Sequence, residues 1–250
     1  MSKSNNDAVS VPTDSPFPVV ASADARAMLA TQVAEAGIGV FDLDRIKLPT
    51  GGGNFFELPG LDGPTPAQEF HAVITAVRAN QKAWHRTTMD EGGGGSFPDC
   101  RSYDGETGWG NRDLEPEANE LGEAVQGQHS CADCPWNQFG SARGEGSGKD
   151  CSDSTHLVFY REGVALPDLM IVPAGSLKAV RNYLLSLAKH GVHPQRVVTS
   201  FKLDPAVSRS GQKYSRLNLT VARTLTDAEA DAFADLKAPS DQLLLAAATL

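Results

Sequence analysis

The stretch FHAVITAVRANQKAW, at residues 70–84, places β-branched side chains at every second position of its first half. Val73, Thr75 and Val77 lie two residues apart, so an extended backbone would direct them to one face of a sheet. The alanines of the same stretch keep an α-helix open as the competing interpretation. The period of two favours a strand over residues 70–84.

Alternating apolar residues return beyond residue 155, together with helical signals. Thr226 and Glu229 form a capping box in the string TDAE, which predicts a helix ending near Leu236. Another helix is predicted before Gly191, where apolar residues recur every three or four positions. The predicted strands cover residues 156–161, 168–172, 196–203 and 214–222, and the predicted helix between the second and third of these covers residues 176–190.

The N-terminal part contains weaker signals. Residues 1–21 are rich in Ser, Asn and Pro, and they are predicted to form a flexible leader. A short helix is expected from Ser22 to Gly37. Two strands are expected after it, at residues 40–48 and 55–58, each ended by Pro and Gly residues.

This order of elements predicts an α+β, mostly β fold: an OB-like small barrel with an inserted four-Cys zinc loop and flanking helices. An open α+β sandwich fits the same order nearly as well. The expected organisation is a single domain over residues 22–236, interrupted by an insertion at 85–155. A C-terminal tail would follow at 237–250.

The insertion lacks regular periodicity and contains all four cysteines of the chain. Cys131 and Cys134 form a C-x2-C knuckle, whose turn directs two sulfurs toward one metal ion. Cys100 precedes the knuckle and Cys151 follows it, which completes a tetrahedral set of four thiolates. The sequence therefore predicts structural Zn²⁺ bound by these cysteines, with the metal replacing the missing apolar core.

Other uses of the cysteines remain open. An iron–sulfur cluster also takes four thiolates, and free or redox-active thiols are a third possibility. His129 is a candidate to replace Cys100 as a ligand, although four cysteines suffice. A catalytic zinc is disfavoured because four thiolates leave no open position for water.

The charge of −9 is unevenly distributed. Residues 156–223 contain ten Lys and Arg against three Asp and Glu, whereas residues 1–155 contain 11 against 23. A basic third in an acidic protein indicates a polyanionic partner. The alternative is a basic face that packs against the acidic half of the same chain.

Single-strand binding needs cations for the phosphates and aromatic faces for the bases. In residues 40–48, Arg45 and Lys47 fall on the face opposite Ile46, and in residues 214–222 Tyr214 and Arg216 share a face. Such a face is also the ordinary solvent side of an antiparallel sheet. The candidate nucleic-acid-binding residues are Arg45, Lys47, Phe55, Trp84, Arg86, Lys202, Arg209, Lys213, Tyr214 and Arg216.

Enzyme motifs and membrane segments are not found in the sequence. Gly148-Lys149 lacks both the first Gly and the following Ser or Thr of a phosphate loop, and neither G-x-S-x-G nor H-E-x-x-H occurs. The longest apolar run is far shorter than the roughly 20 residues that cross a bilayer. We therefore expect a non-enzymatic protein of the cytoplasm, without a secretory signal.

The cysteine motifs resemble a module of phage and mobile-element proteins. The strings are PDC at 98–100, CADCPWNQFGS at 131–141 and GSGKDC at 146–151, with weaker similarity at 45–60 and 214–220. This architecture is similar to that of zinc-containing OB-fold single-stranded DNA-binding proteins of tailed phages. Two features depart from those proteins: the order of the metal ligands, and a C-terminus that ends LLLAAATL instead of in acidic residues.

The resemblance implies a protein that coats single-stranded DNA, or RNA, without sequence specificity. It would support replication or recombination of a phage or mobile element in the host cytoplasm, together with replication or recombination proteins. The alternative function is a zinc-stabilised protein-interaction adaptor that does not bind nucleic acid.

Overall fold

The computed structural model describes residues 15–18, 31, 35, 43–49, 51–87, 98–110, 128–143, 148–208 and 211–246. The strands are β1 (Phe56–Leu58), β2 (Thr65–Ala67), β3 (Glu69–Trp84), β4 (Cys100–Ser102), β5 (Thr107–Gly110), β6 (Gln128–Ser130), β7 (Ser152–Arg161), β8 (Asp168–Pro173), β9 (Val197–Val207) and β10 (Lys213–Thr224). The helices are α1 (Ala174–Lys189), α2 (Asp227–Asp235) and α3 (Lys237–Ala246).

The five longest strands form an antiparallel sheet in the order β10-β9-β3-β7-β8. After β8 the chain crosses over through α1, so that β9 lies beside β3, the first of these strands. This is the Greek-key order, in which the fourth strand returns to the side of the first. The expected α+β, mostly β fold is confirmed at this level, as is the strand over residues 70–84.

Strand β3 is the centre of the sheet because its partners change along its length. Its first residues pair with β9, most of it pairs with β7, and its last three residues pair with β4. Two register shifts bend it, and within the second of them Asn80 has a φ of 60°. A Cβ on Gly105 would lie 2.8 Å from the carbonyl oxygen of Asn80, so only glycine fits where the β4–β5 turn meets this bend.

One face of the sheet is packed against α1. Phe70 is the centre of this core: its ring lies 4.6 Å from that of Phe201 and 5.6 Å from that of Phe159, between centroids. Val180 and Leu187 of α1 are buried in the same cluster. The predicted helix over residues 176–190 is thus present, and its apolar residues pack against the sheet as expected.

The opposite face is covered by the two C-terminal helices. Phe233 of α2 is fully buried against Val73 and Tyr160, and Leu244 of α3 packs on Ala76 and Val158. Residues 237–246 therefore form a docked helix, whereas the sequence predicts only a tail there. None of the helices in the described residues is long and apolar enough to cross a bilayer.

The edge strands β8 and β10 do not pair with each other in the described part of the chain, so the sheet is not a closed barrel. The segment before β1 connects these edges instead. The amide of Ile46 donates to the carbonyl of Leu169 in β8, and the carbonyl of Gly53 accepts from the Ser215 hydroxyl in β10. The strand expected over 40–48 is reduced, within residues 43–48, to one isolated bridge at Arg45. The chain leaves β8 before Pro49, which lacks the amide hydrogen needed to extend the pairing.

The insertion contains three short strands that the sequence did not predict. Strands β4, β5 and β6 extend from the C-terminal end of β3 as an antiparallel ribbon. The turn between β4 and β5 contains Asp104 and Gly105, a dipeptide that commonly forms hairpin turns. Asp104 stabilises it by accepting from the amides of Glu106 and Thr107.

The N-terminal segment is also placed in part. Phe17 is 0% exposed and packs edge-on against Phe233 at 5.3 Å, although it lies in the predicted flexible leader. Thr31 and Glu35 are helical, as expected, and the other residues of the predicted helix at 22–37 lie outside the described residues.

Glu229 should make stability depend on pH. Hydrogen bonds from Arg223 lower the pKa of Glu229 to about 2 against the opposing effect of burial, and the Thr226 amide and Ser15 hydroxyl add to them. A carboxyl whose pKa is lowered from 4.5 stabilises the fold above about pH 4.5, and this contribution is lost as the pH falls toward about 2. We expect Glu229→Gln to lower the free energy of unfolding by about 1.5–3 kcal/mol at pH 7.

Urea unfolding at pH 7 and pH 3 measures this effect. The difference between wild type and Glu229→Gln should shrink at the lower pH. Asp231→Asn, at an exposed acid on the same helix, is the control and should change little. A Glu229→Gln difference that stays constant between the two pH values would contradict the assignment.

Candidate metal centre and nucleic-acid interface

All four cysteines line a single small cavity. Cys100 begins β4, Cys131 follows β6, Cys134 precedes the 3-10 turn Pro135–Asn137, and Cys151 precedes β7. The cavity has a volume of about 10 Å³, roughly that of one water-sized sphere. Residues 31 positions apart in the sequence, such as Cys100 and Cys131, are therefore brought together as predicted.

The thiols are buried close enough to influence one another. Burial, together with the charges of the other three cysteines, raises the pKa of Cys100 to about 12. Burial likewise raises the pKa of Cys151 to about 11, and it raises the pKa of Cys131. No disulfide joins any of the four. Thiols in this state need a strong Lewis acid to become thiolates, which is what a bound metal ion supplies.

The side chains that line the cavity are of the types that bind a metal ion, but they are not positioned as ligands of one ion. Four sulfurs match a four-thiolate site, and His129 lies near them, with its Nε2 3.5 Å from the Cys100 sulfur. Yet no three His, Cys, Asp or Glu side chains in the described ranges are arranged as ligands of one ion. The sulfurs share the cavity without being in coordination geometry.

Backbone hydrogen bonds fix the loop that carries the knuckle. The amide of Cys151 donates to the carbonyl of Trp136 at 2.9 Å, and the Asn137 side chain donates to the carbonyl of Cys131 at 2.6 Å. The amide of Cys131 donates to the carbonyl of Glu106, in the β4–β5 turn. These bonds connect the segments that supply the cysteines.

Next to the cavity, one carboxylate joins two lysines. Asp153 accepts from Lys82 at 2.6 Å and from Lys149 at 2.7 Å, and both ammonium groups also donate to Asn137. Burial opposes ionisation, but the two lysines lower the pKa of Asp153. This polar cluster ties the loop to β3 and β7, and it occupies Lys82 and Lys149.

Trp84 is not the exposed stacking platform that the sequence suggested. It is 5% exposed, and its ring stacks on that of Trp136 at 4.4 Å. Its indole nitrogen donates to Asp150, which also binds Arg143. Trp84 is buried because the loop that follows β6 and contains the C-x2-C knuckle (residues 131–143, the knuckle loop) folds over the end of β3.

Two of the cations predicted on β9 and β10 are paired with acids. Lys202 binds Glu69 at 3.1 Å, and Arg216 lies 3.8 Å from Asp204 on the neighbouring strand. The Ser200 hydroxyl and Lys202 lower the pKa of Glu69 to about 2, so this carboxylate is ionised at neutral pH. The face of β9 and β10 is thus a ladder of alternating charges, which weakens its attraction for a polyanion.

Lys213, Tyr214 and the loop before β1 come together at the start of β10. A Cβ on Gly52 would lie 3.2 Å from the Lys213 Cβ, which places the segment carrying the exposed Phe55 beside this strand. Lys213 is exposed, but the Tyr214 ring is half-buried against Gly175 of α1. Arg209, in the adjoining loop, lies outside the described residues.

Arg45, Lys47 and Arg86 are exposed, as predicted. Arg45 and Lys47 lie beside the edge strand β8, with Ile46 buried between them. Arg86 follows β3, where its amide donates to Asp99. The predicted nucleic-acid residues are therefore spread over three separate places and do not form one surface.

Several exposed or half-buried aromatic and cationic side chains were not predicted from the sequence. Phe139 is 82% exposed at the tip of the knuckle loop. Tyr103 lies between two guanidinium groups, those of Arg78 and Arg101. The sequence did contain a signal for this cluster. Arg101 and Tyr103 lie two residues apart just before an Asp-Gly turn, and residues two apart in a hairpin strand share a face.

Comparisons of the chain with protein-family models, with curated proteins and with solved structures give no match.

Proposed function

We propose that this protein binds single-stranded DNA without sequence specificity, through an OB-like Greek-key domain, in the replication or recombination of a phage or mobile element. No catalytic step is assigned to it. One observation carries the proposal: the strand order β10-β9-β3-β7-β8 with α1 between the third and fourth strands. An OB-fold is a five-stranded, partly open Greek-key barrel that binds oligonucleotides.

The positions of the loops support the same function. In OB-folds, nucleic acid contacts the loop between the first and second strands and the loop between the fourth and fifth. Here the first of these loops is the cysteine insertion, with Arg86 at its start. The second joins β9 to β10 and is followed by Lys213 and Tyr214.

Structural Zn²⁺ is part of the proposal. Cys100, Cys131, Cys134 and Cys151 would hold it, and it would supply the cross-link that a short β-ribbon without an apolar core needs. The cavity that the four cysteines share supports this assignment. Binding would draw the sulfurs inward from their present positions. His129 would remain beside the site as a neighbour of Cys100.

Fluorescence polarisation of labelled oligo-dT tests the function. We expect binding that weakens about 50-fold between 50 and 200 mM salt, if about four phosphates are neutralised. Duplex DNA should compete weakly. Lys213→Ala should reduce the dependence on salt by about one phosphate contact, whereas Lys189→Ala, at an exposed lysine ending α1, should not. Absence of binding at 50 mM salt would exclude the proposed function.

One observation favours the adaptor as the second candidate. Phe139 is presented to solvent at the tip of a loop held by backbone hydrogen bonds, and the Lys149 ammonium lies 5.5 Å from its ring centroid. Exposed aromatic side chains on rigid loops are frequent anchors of protein interfaces. An adaptor would lose its partner in pull-downs on Phe139→Ala and would show no retention on single-stranded DNA.

A further inference from the structure

We infer that the bound strand crosses the outer face of β5, β4 and β3, over a row of side chains that we call the arginine–aromatic row: Trp109, Arg101, Tyr103 and Arg78. This inference rests on the proposed function and assigns to it a binding surface separate from the loop residues Arg86, Lys213 and Tyr214. None of the four members of the row is among the nucleic-acid-binding residues that the sequence predicted.

The row is continuous because its members are neighbours across strands. Arg101 of β4 is directly opposite Trp109 of β5 in the register, so both side chains leave the same face of the ribbon. The Arg101 guanidinium lies 5.4 Å from the Tyr103 ring centroid, and that of Arg78 lies 5.3 Å from the same centroid. Trp109 is 48% exposed, which leaves an indole face available to a base.

Within the described part of the chain, the two arginines of the row form no ion pairs with acids. Arg78 donates to the carbonyls of Tyr103 and Leu244, at 3.4 and 3.2 Å, and carbonyl partners leave the guanidinium with its full positive charge. Among the described residues, no carboxylate lies within ion-pair distance of Arg78 or Arg101. This distinguishes them from Lys202 and Arg216, which each have an acidic neighbour.

The same face continues onto the main sheet, beside the part that α3 covers through Leu244. Arg78 is opposite His156 of β7, and His156 is opposite the half-exposed Ile171 of β8. Burial, with the charges of Arg45 and Arg78, lowers the pKa of His156 to about 4, so both arginines act on the imidazole. The surface thus extends from Trp109 to Arg45. From β5 to β8, four strand spacings give a path of about 19 Å, and Arg45, bridged to β8, lies one spacing further. A path of this length suits the lower end of the roughly 4–16 nucleotides bound per OB-fold.

The opposite face of the same ribbon carries the cysteine cavity. Cys100, Arg101 and Ser102 all contribute to the lining of the cavity. Side chains alternate along β4, so those of Cys100 and Ser102 lie on one face of the strand and that of Arg101 lies on the other, which it shares with Trp109. Bases stacking on aromatic rings between cations that contact phosphates is the pattern of sequence-tolerant single-strand binding. The ribbon would therefore use one face for its metal and the other for the strand.

Arg101→Ala and Trp109→Ala test the path, in polarisation titrations with labelled oligo-dT. Each should weaken binding about tenfold or more, since a stacked base or a phosphate contact is lost. Trp109→Phe should retain most of the affinity because a ring remains. Arg181→Ala and Val221→Ala are the matched controls: both are exposed, on α1 and β10, and should bind like wild type. Circular dichroism and thermal unfolding confirm that each variant is folded.

Tryptophan fluorescence provides a second readout. Oligo-dT should quench part of the emission of wild type, and Trp109→Phe should remove that part. If wild type binds but Arg101→Ala and Trp109→Ala bind equally well, the path is wrong and the proposed function stands. If wild type does not bind oligo-dT at 50 mM salt, both the path and the function are refuted.

Discussion

Replacing Cys134 with serine should release the bound zinc and unfold the knuckle loop and the β4–β6 ribbon, while the Greek-key sheet stays folded. The sheet has its own apolar cores on both faces. The ribbon has strands of only three or four residues, and isolated ribbons of this size are marginal in water. Structural zinc contributes an apparent free energy of about 10–16 kcal/mol in small zinc-binding peptides, far more than the polar contacts around Asp153 can supply.

Metal analysis and limited proteolysis measure the result. Wild type should contain one zinc per chain, and Cys134→Ser should contain far less and be cut within residues 100–151. Asp133→Ser, at an exposed acid between the two knuckle cysteines, is the control and should keep both its zinc and its resistance to protease. A metal-free wild type whose ribbon resists protease would overturn the structural role. Bound iron together with visible absorbance would show that the cysteines hold an iron–sulfur cluster instead of zinc.

The same variant tests whether the proposed metal supports the proposed nucleic-acid surface. Cys100 and Arg101 are neighbours that point to opposite faces of β4, so a collapsed ribbon cannot present the arginine–aromatic row. Cys134→Ser should therefore also weaken oligo-dT binding.

Local patterns predicted the elements whose periodicity is regular. The alternation at Val73, Thr75 and Val77 identified β3, and the string TDAE identified the capping box, in which Thr226 accepts from the Glu229 amide. The common cavity of the cysteines could be expected from the knuckle spacing and the cysteine count. Each of these signals is contained in a short stretch or in the chemistry of one residue type.

The parts that the sequence did not predict depend on contacts between distant residues. Trp84 is buried because Trp136, 52 positions later in the chain, stacks on it. Lys202 is a poorer candidate for binding phosphate than the sequence indicates, because it forms an ion pair with Glu69 on the adjacent strand. Arg78 looks like an ordinary solvent-facing residue until Tyr103 of the insertion is placed beside it. No periodicity in one segment reports pairings of this kind.

The second large effect is expected at the buried ion pair between β7 and β8. The Arg161 guanidinium binds Asp168 with two hydrogen bonds, from Nε at 2.7 Å and from Nη2 at 3.2 Å, and Nη2 also donates to the carbonyl of Pro59. The two side chains are 9% and 2% exposed. Asp168→Ala would leave the guanidinium buried without a counter-charge, which costs about 3–5 kcal/mol, a large share of the 5–15 kcal/mol that typically holds a domain folded.

Urea unfolding at pH 7 measures the loss, with Asp204→Ala as the control. The side chains of Asp204 and Arg216 form an ion pair and are both exposed. Removing Asp204 should therefore change the free energy of unfolding by at most about 1 kcal/mol. Burial raises the pKa of Asp168, and the hydrogen bonds and charge of Arg161, which lower this pKa, do not fully offset the effect of burial. The desolvation cost of the carboxylate therefore exceeds the stabilisation that it gains from Arg161. The double variant Arg161→Met/Asp168→Leu should therefore recover most of the stability that Asp168→Ala loses, since apolar side chains of similar size need no counter-charge. An Asp168→Ala loss no larger than that of Asp204→Ala would show that the pair is hydrated, and that β7 and β8 are held by their apolar face alone.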